Sequence, residues 1–397
     1  MLVATLIFII ISQQAAITYH LSPFIINQTF FLLAAPLQVG TPSQTENFVF
    51  HDWGPNFIPS SIVNPNLINA KFNCQISTTC SMSTLLTDGL TNPLNIYSGY
   101  LTTDIITPIT GTTMPFSFYI PSTALVPYMP YSFESLGFIT VNPSSLQSSN
   151  GFAYSLYQQN LIDSPVVIID FRGVPLFGQD ATKATANITF GTINLGPLTN
   201  NDIEKTYSAT LGTAGDMYLP YMHTYANQVD IDPNRTMYYI DFSLAYPSMQ
   251  LTMQPCHNLI ATISNKNTVC DYSIDGSKLV VCKNVPTDYT AYPALTLEVG
   301  LDFNITIAPN EYVRFLNSTA AEFNFYCADG SDPIISLGTT ILKKFITKMF
   351  MSTSGYPMLT IRHPAFVQPK INILWIILLI VIALISLGGI ILVFLMC

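Results

Sequence analysis

Residues 373–396 form an apolar run without a single charged side chain. A helix of that length rises about 36 Å, at about 1.5 Å per residue, enough to cross a bilayer with some tilt. Gly388-Gly389 within it are tolerated in membrane helices, and Cys397 follows it. This run constrains everything before it to a folded region on one side of a membrane. A second apolar run, residues 2–11, ends at Ser12-Gln13-Gln14-Ala15-Ala16. It reads as a signal peptide over residues 1–16, with a short signal anchor as the alternative. Lys370, the charge nearest the C-terminal run, lies on its outer side, against the positive-inside tendency, but a signal peptide fixes orientation regardless. A lipid-anchor signal is the alternative to a spanning helix, although residues 364–372 lack the small-residue run it needs. The expectation is a single-pass type I protein at the cell surface or in endomembranes. Its ectodomain faces the lumen or exterior on a short stalk, residues 366–372.

Only 9% of the 397 residues are charged. Soluble domains usually carry about 25%, so something else must hydrate this surface. Glycans are a source. Glycosylation sequons begin at Asn27, Asn187, Asn234, Asn304 and Asn317. Six of the seven cysteines (Cys74, Cys80, Cys256, Cys270, Cys282 and Cys327) lie between the apolar ends and suit three disulfides in an oxidising compartment. No Cys-x-x-Cys or His-Glu-x-x-His spacing occurs, so no metal or other cofactor is expected. A formal charge of −9 without basic clusters argues against nucleic acid.

The body reads as all-β. Short runs such as Phe48-Val49-Phe50, Val166-Val167-Ile168-Ile169, Tyr238-Tyr239-Ile240, Leu279-Val280-Val281 and Leu295-Thr296-Leu297 alternate with Pro, Asn, Gly and Ser. Residues 151–161 and 339–345 are the helix candidates. The length exceeds one core and suggests two lobes.

Several motifs then fall in a specific order. Val39-Gly40-Thr41-Pro42-Ser43-Gln44 makes a turn, and Asp52-Trp53-Gly54 follows, then Asn56-Phe57-Ile58-Pro59-Ser60. Leu136-Gly137-Phe138, residues 187–194, Tyr238-Tyr239-Ile240, Leu279-Val280-Val281-Cys282 and Ile334-Ile335-Ser336-Leu337-Gly338 come later. This series resembles the pepsin-like aspartic protease family over residues 30–365. The resemblance implies a bilobal fold, with an N-terminal lobe over residues 17–198 and a C-terminal lobe over residues 199–365. It implies the pairs Cys74–Cys80 and Cys282–Cys327, which leaves Cys256 with Cys270. It also makes Tyr97, in Tyr97-Ser98-Gly99-Tyr100-Leu101, the flap tyrosine of a hairpin with a shortened tip. Trp53 and Gly54 fall beside the site.

The chemistry of that family needs two close carboxylates sharing one proton, one from each lobe. Asp52 matches the first, but Trp53 stands where a small hydroxyl residue is usual. The second is missing: alignment puts either Met253 or Thr262 in its place, and neither is acidic. The resemblance therefore implies an inactive, protease-like surface protein that binds a peptide or protein. An active atypical endopeptidase, using Asp52 with a recruited carboxylate such as Asp271, is one alternative. A structural surface glycoprotein is the other.

Overall fold

The computed structural model describes residues 16–25, 31–52, 56–60, 71–86, 91–92, 95–96, 99–121, 136–141, 143, 151–195, 203–211, 217–233, 238–264, 266–272, 278–299, 303–328 and 334–363. The proposed signal peptide up to residue 15, the stalk and the apolar run at 373–396 lie outside them. Among the described residues, no helix is long and apolar enough to cross a membrane.

The fold is β-rich, as the sequence led us to expect. The first half supplies β1 (Ala16–Ile25), β2 (Phe31–Val39), β3 (Gln44–His51), β4 (Ser81–Leu86), β5 (Thr91–Asn92), β6 (Asn95–Ile96), β7 (Gly99–Ile109), β8 (Thr112–Pro121), β9 (Leu136–Thr140), β10 (Val167–Asp170) and β11 (Ala186–Gly191). The second half supplies β12 (Ile203–Ser208), β13 (Thr210–Leu211), β14 (Met217–Ala226), β15 (Val229–Asp230), β16 (Tyr238–Phe242), β17 (Met249–Leu251), β18 (Val269–Tyr272) and β19 (Val280–Lys283). It continues through β20 (Leu295–Val299), β21 (Phe303–Ile307), β22 (Val313–Asn317), β23 (Ala320–Phe323), β24 (Phe325–Cys327), β25 (Ile334–Leu337), β26 (Ile346–Met351) and β27 (Pro357–His363).

One sheet joins the halves. β10 and β26 pair antiparallel along its middle, from Val167↔Met349 to Asp170↔Ile346. Outward from this seam come β11 and β1 on one side, β27 and β12 on the other. The two triplets repeat each other even in side chains. Thr18 and Thr189 touch hydroxyls at 2.9 Å between β1 and β11, and Thr206 and Thr360 do so at 2.8 Å between β12 and β27. Alternation sets the faces: in β1, Ile17, Tyr19 and Leu21 are buried while His20 is exposed. The buried face meets helix α1 (Phe152–Gln158), whose Phe152 packs edge-on to Phe190 at 5.2 Å. Burying a side chain of this size stabilises by about 1.5–3 kcal/mol.

Three expectations are corrected. Residues around Met253 and Thr262 are not among the helix candidates, yet they form helix α2 (Met253–Ile263). Pro255 sits in its first turn, where a missing N–H costs nothing, and Pro255, Cys256, Leu259 and Ile263 share its buried face. Two disulfide pairings also differ. Cys74–Cys80 is present, but the others are Cys256–Cys327 and Cys270–Cys282. The reason is register: β18 and β19 set Cys270 directly opposite Cys282, with Cα atoms 4.0 Å apart. Cys256 on α2 then reaches Cys327 at the end of β24. Finally, Gly99, Tyr100 and Leu101 of the flap motif belong to β7, the second arm of the hairpin it forms with β4. Its arms pair as far as Leu86↔Gly99, and the small ladder of β5 and β6 lies between them in the chain.

Candidate functional site

Asp52 follows the last residue of β3, and its neighbour His51 closes that strand. Both are buried, at 3% and 1% exposure. The His51 ring lies parallel to Phe57 at 6.2 Å and edge-on to Phe138 at 6.0 Å. β3 runs parallel to β9, with His51 beside Thr140. Phe57 then crosses back, antiparallel to Phe138 and parallel to Tyr119. Asn56 ties this crossing together. Its Oδ1 accepts from the Thr140 N–H at 2.9 Å and its Nδ2 donates to the Ser117 carbonyl at 3.2 Å. The sequence offered Asn56 only as part of a motif; its burial and paired amide make it the residue that ties this crossing to Thr140 and Ser117.

The second half repeats the crossing. β16 runs parallel to β25, Gln250 of β17 is antiparallel to Ser336, and Gln250 is parallel to Tyr326. Matching the partners gives the equivalences. Phe138 corresponds to Ser336, Phe57 to Gln250 and Val49 to Asp241. Two and three residues further on, His51 corresponds to Ser243 and Asp52 to Leu244. Leu244 is 2% exposed and belongs to the main apolar core. By this register Met253 and Thr262 lie beyond the matching position, on α2. The Phe57–Gln250 match shifts the count by one and puts Ala245 opposite Asp52, which changes nothing, because none of Ser243, Leu244 and Ala245 carries a carboxylate. Asp271, considered as a recruit, is exposed on β18 at the edge of a separate four-stranded sheet.

Cross-strand neighbours in each crossing form a row on one face of their sheet. In the first half the row is Ala34, Val49, Phe138, Phe57 and Tyr119. It is sealed: all five are buried in a small apolar cluster that also holds Ala245 and, at its margin, Tyr246 and Leu101. Residues just past the Leu244 position thus pack on the first half. Burial raises the Tyr119 hydroxyl above its usual pKa. In the second half the corresponding row is Tyr218, Asp241, Ser336, Gln250 and Tyr326, with Tyr218 one step along the register that pairs Leu219 with Ile240. Here Ser336 Oγ donates to Asp241 Oδ2 at 3.2 Å, and Tyr326 OH donates to Gln250 Oε1 at 2.9 Å. No alternation pattern revealed this contrast, since each row draws on strands far apart in sequence.

Upstream on β3, Glu46 is buried at 1% exposure. Desolvation pushes its carboxyl up to about 7, partly opposed by Lys71. Of the remaining predicted site residues, Trp53, Gly54 and Tyr97 lie outside the described residues, as do the sequon residues Asn27 and Asn234. Asn304 and Asn317 are exposed, on β21 and at the end of β22. Asn187 is half-buried on β11, with its side chain 2.7 Å from His20 Nδ1. Among the described residues, no group of three His, Cys, Asp or Glu side chains is placed to hold a metal. Compared with known proteins, the chain matches no family model and no curated protein.

Proposed function

We propose that this chain is a pepsin-like, two-lobed ectodomain that binds a peptide or protein without cleaving it, held at a membrane by its C-terminal apolar run. The observation that carries the reading is the register match of His51 and Asp52 with Ser243 and Leu244. Hydrolysis by this chemistry needs one ionised and one protonated carboxylate within a few ångströms, about 3 Å in the protease dyad. Asp52 supplies one of them, and Leu244, at the matching position, supplies none. The apolar cluster that holds Ala245 with Val49, Phe57 and Phe138 packs the chain just past Leu244 against the first half.

The test is direct. Full-length protein in detergent is incubated with an unstructured protein between pH 3 and 6, beside an Asp52→Asn variant. No cleavage above background is expected from either. Cleavage by the natural chain that vanishes in the variant would refute the reading.

A further inference from the structure

We propose that Asn304 and Asn317 carry N-linked glycans and that Asn187 stays bare. The inference rests on the reading of the body as an ectodomain on the lumenal side of a membrane, and it names which of its sequons that compartment modifies. The transfer joins the amide nitrogen Nδ2 of Asn to C1 of the first sugar of a polyprenyl-pyrophosphate-linked oligosaccharide. The bond from C1 to the pyrophosphate oxygen breaks, the lipid pyrophosphate leaves, and Nδ2 loses one proton. The motif sets two requirements: an Asn amide that the sugar can reach, and a Ser or Thr hydroxyl two residues on. The sequons that begin at Asn187, Asn304 and Asn317 lie wholly among the described residues, and they meet these requirements differently.

Asn317 meets both. Asn317, Ser318 and Thr319 are all exposed, at the turn between β22 and β23. Asn317 Oδ1 accepts from the Thr319 N–H at 2.8 Å and from the Thr319 hydroxyl at 3.1 Å. Both bonds use the amide oxygen, so they gather the motif into one small turn and leave the reacting Nδ2 out of them. Asn304 and Thr306 are exposed on one face of β21, with Ile305 buried between them on the other. β21 is the terminal strand of its sheet and pairs with β20. Asn187 meets neither requirement. β11 is an interior strand, where Asn187 lies between His20 of β1 and Asp170 of β10. The Asn187 side chain is half-buried, with Oδ1 2.7 Å from His20 Nδ1. Thr189 is 3% exposed, and its hydroxyl touches that of Thr18 at 2.9 Å. β1 and β10 both precede β11 in the chain, so its partners are already made when it emerges. Reaching the transferase would require β11 to leave two ladders at once, against one for β21.

The experiment maps occupancy in the full-length chain made in animal cells. Its peptides are treated with peptide N-glycosidase in heavy-oxygen water, which turns each formerly glycosylated Asn into labelled Asp, and are read by mass spectrometry. Label is expected at Asn304 and at Asn317 in most copies, and none at Asn187. On gels, Asn304→Gln and Asn317→Gln should each lose one mobility step, and Thr189→Val, which removes the Asn187 motif, should lose none. Sealed vesicles carrying the chain are also exposed to protease. Label at Asn187, or its absence at Asn304 or at Asn317 in a body that the vesicles protect, would overturn the proposal and leave the membrane reading standing. A body digested from outside intact vesicles would overturn that reading and this proposal together.

Discussion

Glu46 provides a quantitative test of the β3 packing. Its carboxyl ionises near 4.5 in an unfolded chain and near 7 in the fold, because burial disfavours the charged form. Between those values the folded protein keeps a proton that the unfolded chain has released. Stability must therefore fall as pH rises through this window, and it is highest, as far as Glu46 is concerned, below it. The difference of 2.5 pH units between the two values is worth about 3 kcal/mol at about 1.4 kcal/mol per unit. Glu46→Gln keeps the shape and removes the titration. Urea unfolding of both proteins at half-unit steps from pH 4 to 8 isolates the effect, because other carboxylates cancel in the difference. The variant should match the natural chain near pH 4 and exceed it by about 3 kcal/mol near pH 8. A difference that stays flat across the window would refute the reasoning.

Three further outcomes follow from the packing. Breaking Cys256–Cys327, which spans 71 residues, should cost about 4 kcal/mol, against about 2 kcal/mol for Cys74–Cys80, which spans 6. Double Cys→Ala variants measured by urea unfolding check the ratio, and non-reducing peptide maps check the pairing. Asn56→Ala strips partners from the Thr140 amide and the Ser117 carbonyl and should cost about 3 kcal/mol, read the same way. Gly338→Ala should destabilise by about 2 kcal/mol or more, because a Cβ there would meet the Ser248 carbonyl oxygen at 2.3 Å, and a calorimetric midpoint unchanged from the natural chain would contradict this.

Much of the architecture was legible because short apolar runs bounded by turn residues mark buried strands wherever they lie. Phe48, Val49 and Phe50, Val167, Ile168 and Ile169, and Leu295 and Leu297 are all buried. What escaped was set by pairing between distant segments. Helix α2 was hidden because Pro255 and the short apolar stretch after it look like strand punctuation, and its buried stripe emerges only at helical spacing. The cysteine partners depended on the register of β18 against β19, which no single segment encodes. Asp52 was visible as a motif. The identity of its counterpart was not, because Leu244 matches it through two parallel pairings, β3 with β9 and β16 with β25, rather than through any likeness of sequence. The polar row was illegible for the same reason, its members being drawn from residues 218 to 336.

The seam between β10 and β26 bears on how the chain is made. While the first half leaves the ribosome, the edge of β10 that β26 will occupy is bare. The partner strand follows about 175 residues later, an interval on the order of 10–35 s at ordinary synthesis rates. An open strand edge of this kind invites pairing with other chains. Until β26 arrives the nascent first half carries that open edge, and neither half is a unit that can be expressed alone without exposing it.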